Sequence, residues 1–111
     1  MGEQILSVRF FRTKAGHEPV RDFFQKLNSE DRKTIGTDIK TVQFGWPLGM
    51  PLVRKLEQDL WEIRSHLEGR TLRVIFTITV DQMVLLNAFF KKSQKIPRTE
   101  IEKARARKRL L

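Results

Sequence analysis

LWEIRSHLEGRTLRVIFTITVDQMVLLNAFF, residues 60–90, contains three runs rich in β-branched and aromatic residues, separated by the short segments EGR and DQ. Runs of this composition, bounded by turn-forming residues, are typical of β-strands. Connections this short leave no room for a crossover helix, so consecutive strands are expected to lie side by side and antiparallel. The stretch therefore predicts a three-stranded antiparallel meander.

The segments before the meander predict one further strand and two helices. QILSVRFFR, residues 4–12, alternates apolar and polar positions with the period of a strand. Pro19 suits the first turn of a short amphipathic helix, and Ser29 can cap a second helix that ends near Gly45. Glycine and proline recur between residues 45 and 59, which we interpret as an irregular connection.

The segment after the meander predicts a C-terminal helix. Thr99 and Glu102 have the spacing of a capping box, and Pro97 lies just before them. The resulting order, β-α-α-β-β-β-α, predicts an α+β fold: a small twisted antiparallel sheet with the N-terminal helical hairpin on one face, followed by the C-terminal helix. We expect residues 1–111 to form a single domain.

The positive charge of the chain is unevenly distributed. The formal net charge is +9; residues 91–111 contain nine basic and two acidic side chains, and residues 1–90 contain 13 and 11. Such a concentration attracts phosphate backbones or an acidic protein, although a solvated basic helix explains the same pattern. The chain has no cysteine and no run approaching the ~20 apolar residues of a membrane span, so we expect a soluble cytoplasmic protein with no membrane partner.

Strand alternation predicts a cationic face on the meander. In LWEIRSH, Trp61 and Ile63 fall on the core side of the strand, and the apolar residues of LRVIFTI do the same. Two adjacent strands thus bring four polar side chains to the opposite face: Glu62, Arg64, His66 and Arg73. The last strand ends in Lys91 and Lys92, and periodicity leaves open which of the two points inward.

These side chains suit a chemistry that needs no metal and no other cofactor. His17 and His66 are far apart in sequence, and no carboxylate spacing resembles a metal-ligand set. Fixed cations stabilise the phosphorane that forms when an RNA 2′-hydroxyl attacks its own phosphate. Glu62 or His66 could transfer protons. The charge could come from four candidates, Arg64, Arg73, Lys91 and Lys92.

Two of these interpretations have structural alternatives. Arg64 and Arg73 would, in an arbitrary protein, most often be solvated or paired with a neighbour such as Glu62. Phe90, beside the lysine pair, could stack on an RNA base or pack in the core.

KLEQDLWEIRSH, LRVIFTI and VLLNAFFKKSQKIPRTEIEKARAR, which follow one another in the chain, resemble the phage-related, HigB-like branch of the RelE/ParE toxin superfamily. The resemblance spans about residues 53–109, and the three linked motifs are more specific together than any one alone. It implies a RelE-like fold and the toxin of a type II toxin-antitoxin pair, typically an endoribonuclease that cuts mRNA in the ribosomal A site.

The resemblance also implies roles for individual residues. The arginine of LWEIR is Arg64, the strand arginine is Arg73, and the lysine pair is Lys91 and Lys92. Lys95 matches the same motif, and we expect RNA contacts from Lys95, Arg98, Phe90 and Arg105. RelE relatives have a lysine at the position of Glu62 and use a C-terminal tyrosine, whereas this chain has no tyrosine, so the proton-transfer groups stay open between Glu62 and His66.

The expected partners are the ribosome, mRNA and a cognate antitoxin, plausibly a helix-turn-helix protein. The same fold also serves ParE-type toxins, which inhibit DNA gyrase by binding, so a gyrase inhibitor is the main alternative. A third reading is an inactive phage-derived relative that only binds RNA or an antitoxin.

Overall fold

The computed structural model describes residues 5–92 and 95–111. Within them the chain forms five strands and three helices. In chain order these are β1 (Ser7–Phe10), α1 (Pro19–Gln25), α2 (Ser29–Gly45), β2 (Val53–Glu57), β3 (Leu60–Leu67), β4 (Arg70–Thr79), β5 (Gln82–Phe90) and α3 (Arg98–Lys108).

The strands form one sheet in the order β1-β5-β4-β3-β2. The meander predicted for β3, β4 and β5 is confirmed, since both of its strand pairs are antiparallel. Strand β1 joins the other side of β5 in parallel, so the sheet is mixed rather than wholly antiparallel. The predicted α+β, RelE-like arrangement is confirmed with this change.

The segment interpreted as an irregular connection contains an additional strand. Glycine and proline are confined to its first part, and Val53–Glu57 then pairs antiparallel with β3. A two-residue turn at Gln58 and Asp59 joins the strands, and Asp59 has a positive φ of 63°. Aspartate tolerates this conformation better than most residues. The turn contains no glycine, however, so the sequence does not predict it.

Helices α1 and α2 cover one face of the sheet, as predicted. Their apolar side chains join those of the sheet in a first core cluster, which includes Val20, Ile35 and Phe76. The cap of α2 is Asn28 and not Ser29: the Asn28 side chain accepts a hydrogen bond from the Asp31 backbone N–H at 2.8 Å.

Helix α3 lies against the opposite face and forms a second core cluster. Ala104 is fully buried there among Ile75, Leu86 and Phe89. The predicted capping box is wrong, because Pro97 occupies the cap position and Thr99 lies inside the helix. The face expected to be open is therefore partly covered. In the described part of the chain, no helix has the length and apolar character needed to cross a membrane.

Candidate functional site

The polar face of the meander is organised by strand register. Arg64 on β3 lies opposite Arg73 on β4. Two pairs further along, Glu62 lies opposite Ile75 on one side and Arg54 of β2 on the other. Because alternate residues share a face, these side chains gather at one place beside the area that α3 covers.

Glu62 and Arg73 form a buried pair at the centre of this cluster. Glu62 is 0% exposed and Arg73 is 1% exposed. The Oε2 atom of Glu62 is 3.8 Å from Nη1 of Arg73, and its Oε1 atom is 3.8 Å from Nε of Arg54. These distances allow electrostatic attraction but are too long for hydrogen bonds.

The pair is not satisfied by hydrogen bonds. Within residues 5–92 and 95–111, five buried polar atoms have no hydrogen-bond partner: Oε1 and Oε2 of Glu62, Nε and Nη1 of Arg73, and Nε of Arg64. Folded proteins rarely leave buried polar groups unpaired, because each costs on the order of 1–3 kcal/mol, and more if charged. Such a concentration marks a place arranged for something other than stability.

The charge state of Glu62 reflects this environment. Burial raises the pKa of Glu62 above its ordinary value of 4.5, and it outweighs the lowering effect of the four nearby cations. These cations are, in order of decreasing effect, Arg73, Arg54, Arg64 and Lys91. Glu62 therefore lies within electrostatic reach of the whole cationic group, and its ionised form is poorly solvated.

More accessible cations surround the buried pair. The Arg54 side chain is 41% exposed, and Arg64 is half-buried with Nη1 4.0 Å from Sδ of Met50. Lys91 is half-buried, and its backbone N–H donates to the Thr71 carbonyl at 2.8 Å. We call Arg54, Arg64, Arg73 and Lys91, together with Glu62, the cationic cluster.

His66 lies at the rim of the cationic cluster. It is exposed, and its Nδ1 atom is 3.4 Å from Oγ1 of Thr71. His66 and Arg64 together line a cavity of about 240 Å³ between the sheet and α2. His66 is thus reachable from solvent, whereas Glu62 is not.

The structure places Lys91 and Lys92 at different sites, a distinction that strand periodicity could not make. Lys91 acts on Glu62, so it belongs to the cationic cluster. Lys92 is exposed and lines a different cavity, of about 440 Å³, with Phe89, Phe90 and Lys103. A shared site of Lys92 with Arg73 stays a prediction, because Lys92 follows the end of β5 at Phe90 and lines this other cavity.

Phe90 lies on the face of the sheet covered by the helical hairpin. Its ring centroid is 5.3 Å from that of Phe23, and the Arg70 guanidinium lies 3.9 Å from it. Both contacts hold Phe90 away from the cationic cluster. The core-packing alternative therefore describes Phe90 better than the predicted stacking on a base at the scissile phosphate.

Arg105 holds α3 on the sheet, although its side chain is still 43% exposed. Its guanidinium makes a bidentate pair with Glu57 on β2, with Nη2 2.6 Å from Oε1 and Nε 2.9 Å from Oε2. This hydrogen bonding lowers the pKa of Glu57, so the pair stays ionised into mild acid. Arg105 thus has a role in docking α3, and its contact with RNA stays a prediction.

Two other contacts fix α3. Arg107 donates from Nη1 to the Leu86 carbonyl at 2.7 Å, and Nδ2 of Asn87 donates to the side chain and the backbone of Glu100. The predicted RNA-binding residues that stay accessible are Arg98, whose side chain is 88% exposed, and Lys95, which is also exposed.

Replacing Arg105 with methionine should loosen α3, because the methionine keeps much of the aliphatic stem but loses both hydrogen bonds to Glu57. We expect amide hydrogen exchange within residues 98–108 to become faster, on the order of tenfold. The matched control is Arg98→Met in the same helix, since Arg98 is 88% exposed and its 3.9 Å pair with Glu102 lies within α3. Equal exchange in both variants would show that Glu57 does not hold the helix.

Arg54 is the member of the cluster that the sequence pattern missed. Arg54 was missed because residues 45–59 were interpreted as an irregular connection. The sequence predicts no sheet face for a residue outside a strand. The signal that could have found Arg54 is the alternation of Val53 and Arg54 just after Pro51.

No group of three or more histidine, aspartate or glutamate side chains that could hold a metal ion occurs among the described residues.

Sequence comparison places this chain in a known family. Residues 22–109 match the family described as "Phage derived protein Gp49-like (DUF891)". The chain belongs to this phage-derived family, and the HigB-like resemblance drawn from its motifs is confirmed.

Two individual relatives support the same assignment. Both are named "Probable endoribonuclease HigB1" and come from Mycobacterium tuberculosis, strains CDC 1551 / Oshkosh and ATCC 25618 / H37Rv. Each is 30% identical to this chain over 103 residues, which cover 92% of this chain and 82% of the relative.

Proposed function

We propose that the chain is the toxin of a type II toxin-antitoxin pair and an endoribonuclease that cleaves mRNA on the ribosome. The observation that carries the proposal is the set of buried, unpartnered polar atoms on Glu62, Arg64 and Arg73. These atoms are too buried to contact a phosphodiester themselves, but the guanidinium groups hold fixed positive charge beside the accessible cations Arg54 and Lys91, which suits an anionic phosphate. The name of the mycobacterial relatives agrees with this chemistry.

The proposed reaction is an intramolecular transesterification. The RNA 2′-oxygen loses its proton and bonds to the adjacent phosphorus, and the bond from phosphorus to the 5′-oxygen breaks as that oxygen takes up a proton. The products are a 2′,3′-cyclic phosphate and a 5′-hydroxyl end. Cations placed at the non-bridging oxygens stabilise the extra negative charge of the phosphorane between these steps.

The cations of the cationic cluster differ in how accessible they are to a bound phosphate. Arg54, Arg64 and Lys91 are accessible enough to contact the phosphate. Arg73 lies beneath them and adds positive charge from a position that burial keeps fixed. Preorganised charge in a site with little water acts more strongly than the same charge in solvent.

Glu62 and His66 are assigned different tasks. Glu62 is a positioning residue: it is fully buried, and its charge acts on all four cations of the cluster. His66 is the proton-transfer group, because it is exposed at the rim of the same face. A histidine in this position can accept the 2′-hydroxyl proton or donate to the leaving oxygen.

The partners follow from the class and the charge. The exposed cations of the C-terminal region, such as Arg98, suit contacts with ribosomal RNA phosphates. Family membership implies a cognate antitoxin. We propose a helix-turn-helix protein for this role, and the cytoplasm as the place where both act.

The experiment that tests the proposal is primer extension on cellular transcripts after the chain is induced in a bacterium. Growth should stop and new 5′ ends should appear within coding regions, but not when Arg64→Ala is induced at the same level. Growth arrest with intact transcripts and DNA-damage signalling would instead support the gyrase inhibitor. No arrest, with intact transcripts, would support an inactive relative.

A further inference from the structure

One carboxylate lines the cavity beside His66 and has no part in the proposed reaction. The cavity lies at the edge of the sheet, where β3 extends past the pairing with β2 that ends at Val53 and Ile63, and α2 forms its other wall. Its volume is about 240 Å³. We call it the Asp38 cavity, and its lining consists of Thr34, Asp38, Pro51, Leu52, Arg64 and His66.

Asp38 is held in place by a buried serine. Ser65 on β3 is 0% exposed, and its hydroxyl donates to Oδ2 of Asp38 at 2.5 Å, a length typical of a hydrogen bond to an ionised carboxylate. A carboxylate has about four acceptor positions on its two oxygens, and Ser65 uses one of them. Within residues 5–92 and 95–111, no ion pair involves Asp38. The carboxylate therefore keeps acceptor capacity toward the cavity.

The size and position of the Asp38 cavity suit a single nucleobase. Sites for drug-sized ligands have volumes of about 300–1,000 Å³, so this smaller cavity fits one small ring system. Pro51 and Leu52 supply apolar wall on which a flat ring can pack. Arg64 belongs both to the cavity and to the cationic cluster. Because one ribose joins a base to its phosphate, a phosphate held at the cationic cluster brings an adjoining base to the cavity.

We propose that the Asp38 cavity binds a guanine base next to the scissile phosphate, with Asp38 as the residue that determines this specificity. The Watson–Crick edge of guanine presents two neighbouring donors, N1–H and N2–H, which match the acceptors of a carboxylate. Adenine and cytosine each present one donor beside a ring nitrogen that is an acceptor, and uracil presents one donor between two carbonyl oxygens. A carboxylate accepts only, so it repels these acceptors. The role of the base in cleavage rests on the proposed function, whereas its binding does not.

Titration with single nucleotides tests the cavity without any cleavage. The probes are guanosine 3′,5′-bisphosphate and adenosine 3′,5′-bisphosphate, and binding is followed through the backbone amide chemical shifts of the purified chain. Guanosine bisphosphate should bind about tenfold more tightly, the discrimination usual for a bidentate contact to a base, and should shift the amides of Thr34, Asp38 and His66. Equal binding of the two probes overturns the proposal, as does binding that leaves these amides unshifted.

Asp38→Asn distinguishes base recognition from a structural role of Asp38. The asparagine keeps an oxygen that accepts from Ser65, but its amide group replaces one acceptor with a donor. The variant should therefore lose the preference for guanosine bisphosphate. The matched control is Glu30→Gln, which removes one negative charge from the exposed first turn of α2 and should keep the preference. A preference retained in Asp38→Asn, or lost equally in Glu30→Gln, contradicts the assignment.

Mapping of cleavage sites in cellular transcripts separates this inference from the proposed function. The unchanged chain should cut next to guanine, and Asp38→Asn should lower the ratio of cuts next to guanine to cuts next to adenine about tenfold. A uniform loss of cleavage at all sites would show a structural role and overturn the proposal. If the unchanged chain cleaves no RNA, the proposed function fails, while the nucleotide titration still decides whether the Asp38 cavity binds guanine.

Discussion

Arg73→Lys should lower the rate of mRNA cleavage by about 10²-fold, because a small misplacement of a group that acts on the phosphate costs about that much. Lysine keeps a positive charge near Glu62, so the buried pair is retained. It lacks the planar, delocalised guanidinium of arginine, however, so the buried positive charge is no longer held at the same place beneath Arg54, Arg64 and Lys91. The loss should fall on the chemical step, since Arg73 is buried and contributes little to the first encounter with RNA.

Arg70→Lys is the matched control for this prediction. Arg70 is on the same strand, but it contacts Phe90 and Asp31 on the helical-hairpin face. The control should cleave within about twofold of the unchanged chain. Circular dichroism should show both variants folded. If folded Arg73→Lys retains full activity, the guanidinium of Arg73 has no part in catalysis.

Glu62→Gln should have two opposite effects: slower cleavage and a more stable fold at neutral pH. The cleavage rate should fall about 10²-fold, because a small misplacement of groups around the phosphate costs that much. The glutamine keeps the shape of the side chain but no longer attracts Arg54, Arg64, Arg73 and Lys91 toward one point.

The stability effect follows from the raised pKa of Glu62. The unfolded chain loses this proton near the ordinary pKa of 4.5, while the folded chain keeps it to higher pH. Stability therefore falls as the pH rises from about 4.5 through the raised pKa, because the folded state must then hold a buried carboxylate. Glutamine removes this loss.

Thermal unfolding at two pH values checks the stability effect. The melting temperature of Glu62→Gln should exceed that of the unchanged chain at about pH 7.5, and the two should converge below about pH 4. A lower melting temperature of the variant at neutral pH would show that the ion pairs outweigh burial.

The pH dependence of cleavage separates positioning from proton transfer. Glu62→Gln should keep the shape of the pH–rate profile at a lower rate, whereas His66→Gln should flatten it. If the profile is instead lost in Glu62→Gln and kept in His66→Gln, Glu62 transfers the proton and the two roles are exchanged.

The parts of this fold that could be read from sequence are those fixed by local alternation. Arg73 sits between apolar residues with the period of a strand, so its face was predictable, and the short turns dictated the meander. Strand β2 was not predicted, because its pairing depends on a turn at Asp59 that lacks the glycine usual in two-residue hairpin turns. Arg54 was therefore not predicted as a site residue.

The sequence could not show which charged side chains form ion pairs within the folded chain. Arg105 and Arg98 look alike in a basic helix, yet Arg105 makes a bidentate pair with Glu57, 48 residues away in the chain, whereas Arg98 lies 3.9 Å from Glu102 of its own helix. Contacts between residues so distant in sequence depend on how α3 lies on the sheet. Burial of Glu62 arises in the same way, since alternation alone cannot tell a face covered by a helix from an open one.

The most direct test of the central claim is cleavage of a defined mRNA on translating ribosomes by the purified chain, followed by analysis of the new ends. We expect fragments with a 2′,3′-cyclic phosphate and a 5′-hydroxyl, formed without added metal beyond what the ribosome needs, and about 10²-fold slower formation of the same fragments by Arg73→Lys. Fragments with 5′-phosphate ends, or equal cleavage by folded Arg73→Lys, would contradict the assignment of the cationic cluster as a ribonuclease site.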